Sequence, residues 1–260
     1  MSLNNGLIIE PRVPEDYVLG GAQSLRGVVL VPDGQWDKWL PEPEVQNKNG
    51  IEPSACVSFS LTNIVEIMER QEFNETNNYS DRFLATASGT TRQGNSLKAV
   101  AQTLKNKGCA EEKDLPFDAS ITTFEKFYAP IQSFIYTLAL QFKAEFAFGY
   151  EYVNPTPDAL MEALKYSPLQ FTVYAWVQDA DGLYYRPTGA QDGHATVCYG
   201  YKKNYYWLIY DSYDSGGVVL KKLRWDALPQ QCQRVTLHRN VVVETAWTRF
   251  IAQLRALFNL

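Results

Sequence analysis

Residues 45–60 read Val-Gln-Asn-Lys-Asn-Gly-Ile-Glu-Pro-Ser-Ala-Cys-Val-Ser-Phe-Ser, and this stretch changes from a polar loop into a helical pattern at Cys56. After Cys56, apolar residues recur at helical spacing; they are Val57, Leu61, Ile64, Val65 and Met68. The spacing predicts a helix with one buried apolar stripe and with Cys56 at its N-terminus. The positive end of a helix dipole favours a thiolate over a thiol, and the thiolate is the nucleophilic form of cysteine.

A nucleophilic thiol needs a base beside it, and the chain contains two histidines. His194 lies in a glycine turn that leads into a predicted strand, whereas His238 lies within a strand-like run and is expected to be structural. Asp211 ends the next predicted strand. If these two strands pair as antiparallel neighbours, His194 and Asp211 lie side by side, and the carboxylate can fix the histidine tautomer. Asp192, which lies close to His194 in sequence, is the competing candidate for that role.

The composition limits which classes of function are open to the chain. Its 260 residues are 45% hydrophobic and 20% charged, the profile of an ordinary folded soluble protein. A formal net charge of −5 argues against a nucleic-acid partner. No apolar run approaches the ~20 residues that cross a bilayer. We therefore expect neither a nucleic-acid partner nor a membrane partner.

The cysteines are widely separated, and none belongs to a CxxC pair or to a cluster of metal-ligand residues. Cys109, Cys198 and Cys232 have no partner signal, and the sequence predicts no disulfide framework, no metal and no cofactor. The N-terminal residues also lack the pattern of a signal peptide. Together these features favour a cytoplasmic location.

The chain is rich in helical patterns first and in strand patterns second, which predicts an α+β fold. Helices beyond the one at Cys56 are predicted at 96–107, at about 124–142 and after Pro157. Strands are predicted at 170–176, 195–201, 205–210 and 218–223.

Three segments are predicted along the chain. Residues 1–40 are expected to form a strand-rich extension packed on the body, and residues 41–243 to form the catalytic domain. Residues 244–260 place their apolar side chains on one helical face. This amphipathic helix is expected either to dock on the body or to contact a further domain or a second copy of the chain.

Three stretches resemble the papain family of cysteine peptidases. Residues 45–60 resemble its nucleophile segment, a glutamine-containing loop followed by Ser-Cys-Trp-Ala-Phe-Ser. Residues 193–201 are similar to its histidine strand, and residues 206–213 resemble Tyr-Trp-Leu-Ile-Lys-Asn-Ser-Trp. The order agrees, and the 138 positions from Cys56 to His194 fall within the family's separation of roughly 130–150.

The resemblance implies a papain-like two-lobe fold, with a helical lobe that carries Cys56 and an antiparallel β lobe that carries His194. It implies that Cys56 is the nucleophile, His194 the base and Asp211 the orienting residue, in place of the family's usual asparagine. Gln46 follows Pro-x-Val as the family's glutamine does and is the preferred side-chain oxyanion donor. Asn49 is closer to Cys56 in spacing and stays the alternative.

The function implied is that of a cysteine peptidase or amide hydrolase with a peptide or protein substrate and an acyl-enzyme intermediate. Val57 and Tyr213 stand where the family has tryptophan, so a non-catalytic binding or assembly module on the same scaffold is one alternative. A transglutaminase or acyltransferase with the same three residue types is the other. Because few residues precede Cys56, we expect a chain that is active as made, with residues 1–40 as permanent structure.

Overall fold

A computed structural model describes residues 6–25, 27–214 and 218–240 of the chain. The helix predicted at 244–260 lies outside the described residues. The helices in the described ranges are α1 (Cys56–Phe73), α2 (Asp81–Ala87), α3 (Leu97–Lys107), α4 (Phe124–Phe127), α5 (Ser133–Glu145) and α6 (Pro157–Ala163). None of these described helices is both long enough and apolar enough to span a membrane.

The strands form two sheets. The small sheet pairs β1 (Gly6–Leu7) in parallel with β2 (Gly94–Asn95). The large sheet holds β3 (Phe146–Tyr152), β4 (Leu169–Val173), β5 (Val177–Gln178), β6 (Tyr184–Tyr185), β7 (His194–Lys202), β8 (Tyr206–Tyr210), β9 (Leu220–Arg224) and β10 (Cys232–Arg239). Its order is β3-β10-β4-β7-β8-β9-β6-β5, and its neighbours are antiparallel except for the β6–β9 pair.

Helix α1 runs through the core, packed against β7 of the large sheet and against α2 and α3. Every residue from Cys56 to Glu69 is buried, so the helix is covered on all sides rather than along the one predicted stripe. Some of its polar side chains bond back to the helix; Ser60 Oγ, for example, donates to the Cys56 carbonyl at 2.8 Å. The helix ends at Asn74, whose left-handed backbone forms the C-cap.

Strands β7 and β8 form the hairpin that the sequence predicts. Their register runs from Lys202 opposite Tyr206 to Val197 opposite Tyr210, with a bulge between Cys198 and Gly200. His194, at the start of β7, pairs with the end of β4 on the other side. Asp211 follows directly after β8. Because β7 and β8 are antiparallel, the start of β7 and the end of β8 lie side by side, and with them His194 and Asp211.

Two helical regions differ from their predictions. The helix predicted at about 124–142 is divided into α4 and α5, and Pro130 lies between them. Proline cannot donate the helical hydrogen bond and disfavours a helical conformation in the residue before it, which accounts for the division. Helix α2 and strand β3 were not predicted.

The N-terminal region is packed on the body but holds little regular structure. In its described part, Gly6–Leu7 is the one strand, and the apolar run 27–31, which lies in the extension expected to be strand-rich, forms no strand. The backbone N–H groups of Leu30 and Val31 both donate to the Lys165 carbonyl, just past α6, instead of joining a sheet. Trp36 is fully buried, and its indole N–H donates to the Leu164 carbonyl at 2.7 Å.

Candidate active site

The β7–β8 hairpin brings a histidine and a carboxylate into contact. His194 Nε2 lies 2.6 Å from Asp211 Oδ1, and both side chains are buried. A carboxylate that accepts a ring N–H fixes which nitrogen carries the proton and stabilises the imidazolium. The other ring nitrogen, Nδ1, is thereby left for a second partner.

Cys56 is the second partner of the histidine. It is the first residue of α1, and its sulfur lies close enough to the His194 ring to raise the pKa of the imidazole. The backbone N–H of Ala195 donates to Cys56 Sγ at 3.4 Å, which ties the sulfur to the start of β7. The structure thus places Cys56, His194 and Asp211 together, in the arrangement expected from the sequence.

The charges in this cluster support one another. Burial opposes a charge on His194, but the charges of Asp211 and Cys56 outweigh burial and raise the pKa of His194 to about 10. Burial also opposes the charge of Asp211, but His194 and Lys221 outweigh it and lower the pKa of this carboxyl. At neutral pH the arrangement favours a protonated imidazole next to the sulfur.

Asp192, the competing candidate, has other partners. Its carboxylate accepts from Thr172 Oγ1 at 2.8 Å and from an Arg186 guanidinium nitrogen at 2.9 Å. It also accepts from the backbone N–H of Gln230 at 2.8 Å. These bonds hold the loop before β7, and they leave Asp211 as the carboxylate on the histidine ring.

Lys221 is a member of the cluster that the sequence analysis missed. Its ammonium group is buried and donates to Asp211 Oδ2 at 2.7 Å. Strand β9 alternates exposed and buried side chains, and Lys221 falls on the same face as the buried Leu223. The sequence Leu-Lys-Lys-Leu at 220–223 does not show which lysine is buried, and a lysine in a strand is usually taken to face the solvent.

The two candidates for the oxyanion donor differ in whether their side chains are already engaged. Asn49 Nδ2 donates to the carbonyl of Asp118 at 2.7 Å and to that of Ile121 at 3.2 Å. Gln46 is fully buried, and neither polar atom of its side-chain amide has a hydrogen-bond partner in the part of the chain described. Its backbone N–H donates to the Ser212 carbonyl at 2.8 Å, next to Asp211.

Two aromatic rings enclose the histidine. The Tyr213 ring lies 4.7 Å from the His194 ring, centroid to centroid, and the Trp176 ring meets it edge-on at 5.8 Å. The Tyr213 hydroxyl donates to Glu52, in the loop before α1. Tyr213, which stands where the papain family has tryptophan, therefore packs against the His194 ring.

The N-terminal segment 6–8 lies across the site. A Cβ atom on Gly6 would be 2.8 Å from Cys56 Sγ, so a side chain does not fit at this position. The Leu7 N–H donates to the Gly193 carbonyl at 3.2 Å, and the Ile8 N–H donates to the Asn95 carbonyl at 2.8 Å. The segment bridges β2 and the residue before His194, and Cys56 has no exposed surface.

The described ranges hold no group of three or more His, Cys, Asp or Glu side chains that could bind a metal ion. The site holds a row of neighbouring groups: the Cys56 thiol, the His194 imidazole, the Asp211 carboxylate and the Lys221 ammonium group. This set is suited to nucleophilic attack on a carbonyl carbon with proton transfer through the histidine.

Comparison with solved structures shows a papain-like α+β fold. The cysteine protease and lectin-like domains of Cwp84, a surface layer associated protein of Clostridium difficile, match with a TM-score of 0.66 at 19% identity. That match covers 92% of this chain, which spans 57% of the Cwp84 chain.

Two further structures agree in fold. Xylellain, a cysteine protease from Xylella fastidiosa, matches with a TM-score of 0.64 at 18% identity, over 90% of this chain and 96% of its own. Digestive procathepsin L 3 of Tenebrio molitor larval midgut matches with a TM-score of 0.58 at 15% identity, over 90% of this chain and 77% of its own. No protein-family model matches the chain, and no curated protein matches it.

Proposed function

We propose that this papain-like fold is a cysteine peptidase, in which Cys56 is the nucleophile, His194 the general acid and base, and Asp211 the residue that orients the histidine. One observation carries the proposal: the buried imidazole of His194 bonds Asp211 Oδ1, and the Cys56 sulfur is held beside that histidine by the Ala195 N–H. Solved cysteine proteases with the same fold support it.

In the first half of the reaction, the Cys56 thiolate attacks the carbonyl carbon of a peptide bond. An S–C bond forms, and the carbonyl electron pair moves onto oxygen. As the C–N bond breaks, the His194 imidazolium gives its proton to the leaving amine. The products of this half are a free amine and a thioester on Cys56.

In the second half, neutral His194 takes a proton from a water molecule, which attacks the thioester carbonyl. The C–S bond then breaks, and the carboxylic acid leaves. Asp211 keeps its hydrogen bond to Nε2 in both halves, so that Nδ1 is the nitrogen that exchanges protons.

Two donors are available for the negative oxygen of each tetrahedral intermediate. One is the backbone N–H of Cys56, because the first N–H groups of a helix have no acceptor within the helix. The other is the side-chain amide of Gln46, which is buried next to the Asp211 segment and engaged with no described partner. We assign the side-chain role to Gln46 rather than to Asn49, since the Asn49 amide already holds two carbonyls.

The substrate we propose is the amide bond of a peptide or protein. The extended segment 6–8 already makes main-chain hydrogen bonds to both walls of the site, at Asn95 and Gly193. These are the contacts that an extended peptide offers whatever its side chains are. We also propose a cytoplasmic location, supported by four cysteines that are all free thiols.

A peptidyl epoxide, which alkylates an activated thiol, tests the proposal. We expect one probe molecule per chain, attached to Cys56, and loss of both labelling and peptide hydrolysis in Cys56→Ala. The matched control is Cys109→Ala, which removes a buried thiol bonded to the Ser80 carbonyl and should keep both. A chain that neither labels nor cleaves peptides, even without residues 1–10, would contradict the peptidase assignment and favour a binding module on this scaffold.

The products separate hydrolysis from acyl transfer. With a peptide substrate and an added primary amine, a peptidase yields mainly the free carboxylate, because water resolves the thioester. A predominance of the new amide would contradict the peptidase assignment and indicate an acyltransferase or transglutaminase.

A further inference from the structure

Lys221 is a buried cation whose hydrogen bonds all lie next to the candidate triad. Its ammonium group donates to Asp211 Oδ2 at 2.7 Å, to the Tyr213 carbonyl at 2.8 Å and to the Val218 carbonyl at 2.9 Å. An ammonium group has three N–H donors, so these acceptors use all of them. The side chains of Lys221 and Asp211 have no exposed surface.

The two oxygens of Asp211 therefore have different partners. Oδ1 accepts from His194, and Oδ2 accepts from Lys221. Burying a carboxylate is costly unless cations and hydrogen-bond donors offset its charge, and Lys221 supplies a second cation besides the imidazolium. Paired with Lys221, the carboxylate stays ionised, and the pair as a whole carries no net charge.

We propose that Lys221 is a positioning residue for His194: it holds Asp211 through Oδ2 and offsets its charge, so that Oδ1 is presented to the imidazole in a fixed orientation. This inference rests on the proposed peptidase function. It also gives a reason for an aspartate at position 211, since a carboxylate has one acceptor for each partner, whereas the asparagine of the papain family has a single carbonyl oxygen.

Other ionisable groups also face this cluster. Cys56 approaches the His194 ring from α1, Tyr184 lies near Asp211 from β6, and Tyr213 lies between Asp211 and Glu52. Burial raises the pKa of Tyr184 and of Tyr213, so both stay uncharged near neutral pH, whereas Cys56 acts on His194 in every variant that keeps it. A test of Lys221 therefore has to compare chains that differ at position 221 alone.

The first experiment is a double-mutant cycle with Lys221→Met and Asp211→Asn, read as kcat/KM on a peptide substrate. Lys221→Met should lower kcat/KM about 10- to 100-fold, the usual effect of losing an outer partner of a site residue. Asp211→Asn alone leaves the Lys221 ammonium without its carboxylate. The double variant restores a neutral pair of side chains and should be more active than Asp211→Asn alone.

A merely structural lysine would behave differently. If Lys221 only ties down the Tyr213 and Val218 carbonyls, Lys221→Met should cost the same factor in the Asp211 and the Asp211→Asn backgrounds, and that result would overturn the inference. Lys222→Met is the matched control, because Lys222 is the next residue of β9 and its side chain is exposed. If Lys221→Met does not fold, Lys221→Gln removes the charge and keeps N–H donors.

The second experiment does not depend on turnover. In the inactive Cys56→Ala background, the His194 pKa is measured by NMR, with His238→Gln used to assign the signal of the other histidine. Adding Lys221→Met should raise the His194 pKa by about one unit, because a nearby cation that opposes the imidazolium is gone. An unchanged value would overturn the inference. Absence of peptidase activity in the wild type, by contrast, would count against the proposed function and leave this measurement intact.

Discussion

At the scale of single residues, Cys56 differs from the other cysteines in what surrounds its sulfur. Burial raises the pKa of the Cys109, Cys198 and Cys232 thiols, which keeps them in the unreactive protonated form. Cys56 has the His194 ring and the start of α1 beside it. We expect iodoacetamide to label Cys56 first, as measured by peptide mapping over time. Equal or faster labelling of any of the other three would contradict the assignment.

The two aspartates near His194 should also separate in their effects. Asp211→Ala removes the only described carboxylate bonded to the imidazole and should lower kcat by about 10³-fold or more. Asp192→Ala breaks bonds to Arg186 and Thr172, so its main effect should be a lower melting temperature. Its loss of kcat should be smaller than that of Asp211→Ala. Steady-state kinetics and thermal melts of both variants check this. A larger loss of kcat in Asp192→Ala would move the orienting role to Asp192.

Gln46 and Asn49 form another matched pair. Gln46→Ala should lower kcat about 10²- to 10³-fold with little change in KM, because an oxyanion donor acts mainly in the transition state. Asn49→Ala removes two bonds to loop carbonyls and should act on stability instead. If kcat falls in Asn49→Ala and not in Gln46→Ala, the donor is Asn49.

At the scale of elements, α1 and its neighbours enclose a set of carboxyl groups. Burial raises the pKa of Glu69, on α1, and of Glu112, beyond α3, to about 7. It raises the pKa of Glu66, on α1, and of Asp81, at the start of α2, well above their usual values. The folded chain therefore holds protons that the unfolded chain has released near neutral pH.

The sign of the pH effect follows from these raised pKa values. The stability they contribute is present below about pH 4.5, the pKa of an unfolded glutamate, and is lost as pH rises through about 7. We expect the melting temperature to fall between pH 5 and pH 8, and the fall to be smaller in Glu69→Gln, which cannot ionise. Glu15→Gln, at an exposed position away from these carboxyl groups, is the control. A melting temperature that rises over this range would contradict the prediction.

Helices and strands were predictable where a single periodicity ran without interruption. The start of α1, all of α3 and the β7–β8 hairpin follow from spacing and turn residues, and with them the positions of Cys56, His194 and Asp211. The run at 27–31 has strand composition but bonds to Lys165, because a tertiary partner, not propensity, decides where an apolar segment pairs. Lys221 was out of reach for a similar reason: an alternating pattern shows two faces without telling which one is buried.

At the scale of the whole molecule, the N-terminal region connects parts that are distant in sequence. Val31 and Trp36 are buried in the main core, whereas Gly6 and Leu7 bridge β2 and the residue before His194. We expect deletion of residues 1–35 to give insoluble or unfolded chain, because it uncovers the core around Trp36. Deletion of residues 1–10 alone should leave a soluble chain with a faster-reacting Cys56.

Solubility, circular dichroism and the rate of alkylation check both truncations. A soluble chain lacking residues 1–35 with higher turnover would show that the whole region is an inhibitory segment and not permanent structure. A chain lacking residues 1–10 whose alkylation rate is unchanged would show that segment 6–8 does not limit access to the thiol.

The close contact between Gly6 and Gly94 has a kinetic consequence. A Cβ atom on Gly94, whose φ is +92°, would lie 2.1 Å from the Gly6 carbonyl carbon, so the two backbones fit together without room for a side chain. If segment 6–8 limits access to the sulfur, a reagent reaches the sulfur only after the segment lifts. The rate of alkylation then has two regimes. While the segment closes faster than the reagent reacts, the rate is proportional to reagent concentration. When every opening of the segment leads to alkylation, the rate no longer rises with reagent concentration. This limiting rate of alkylation equals the rate at which the segment opens.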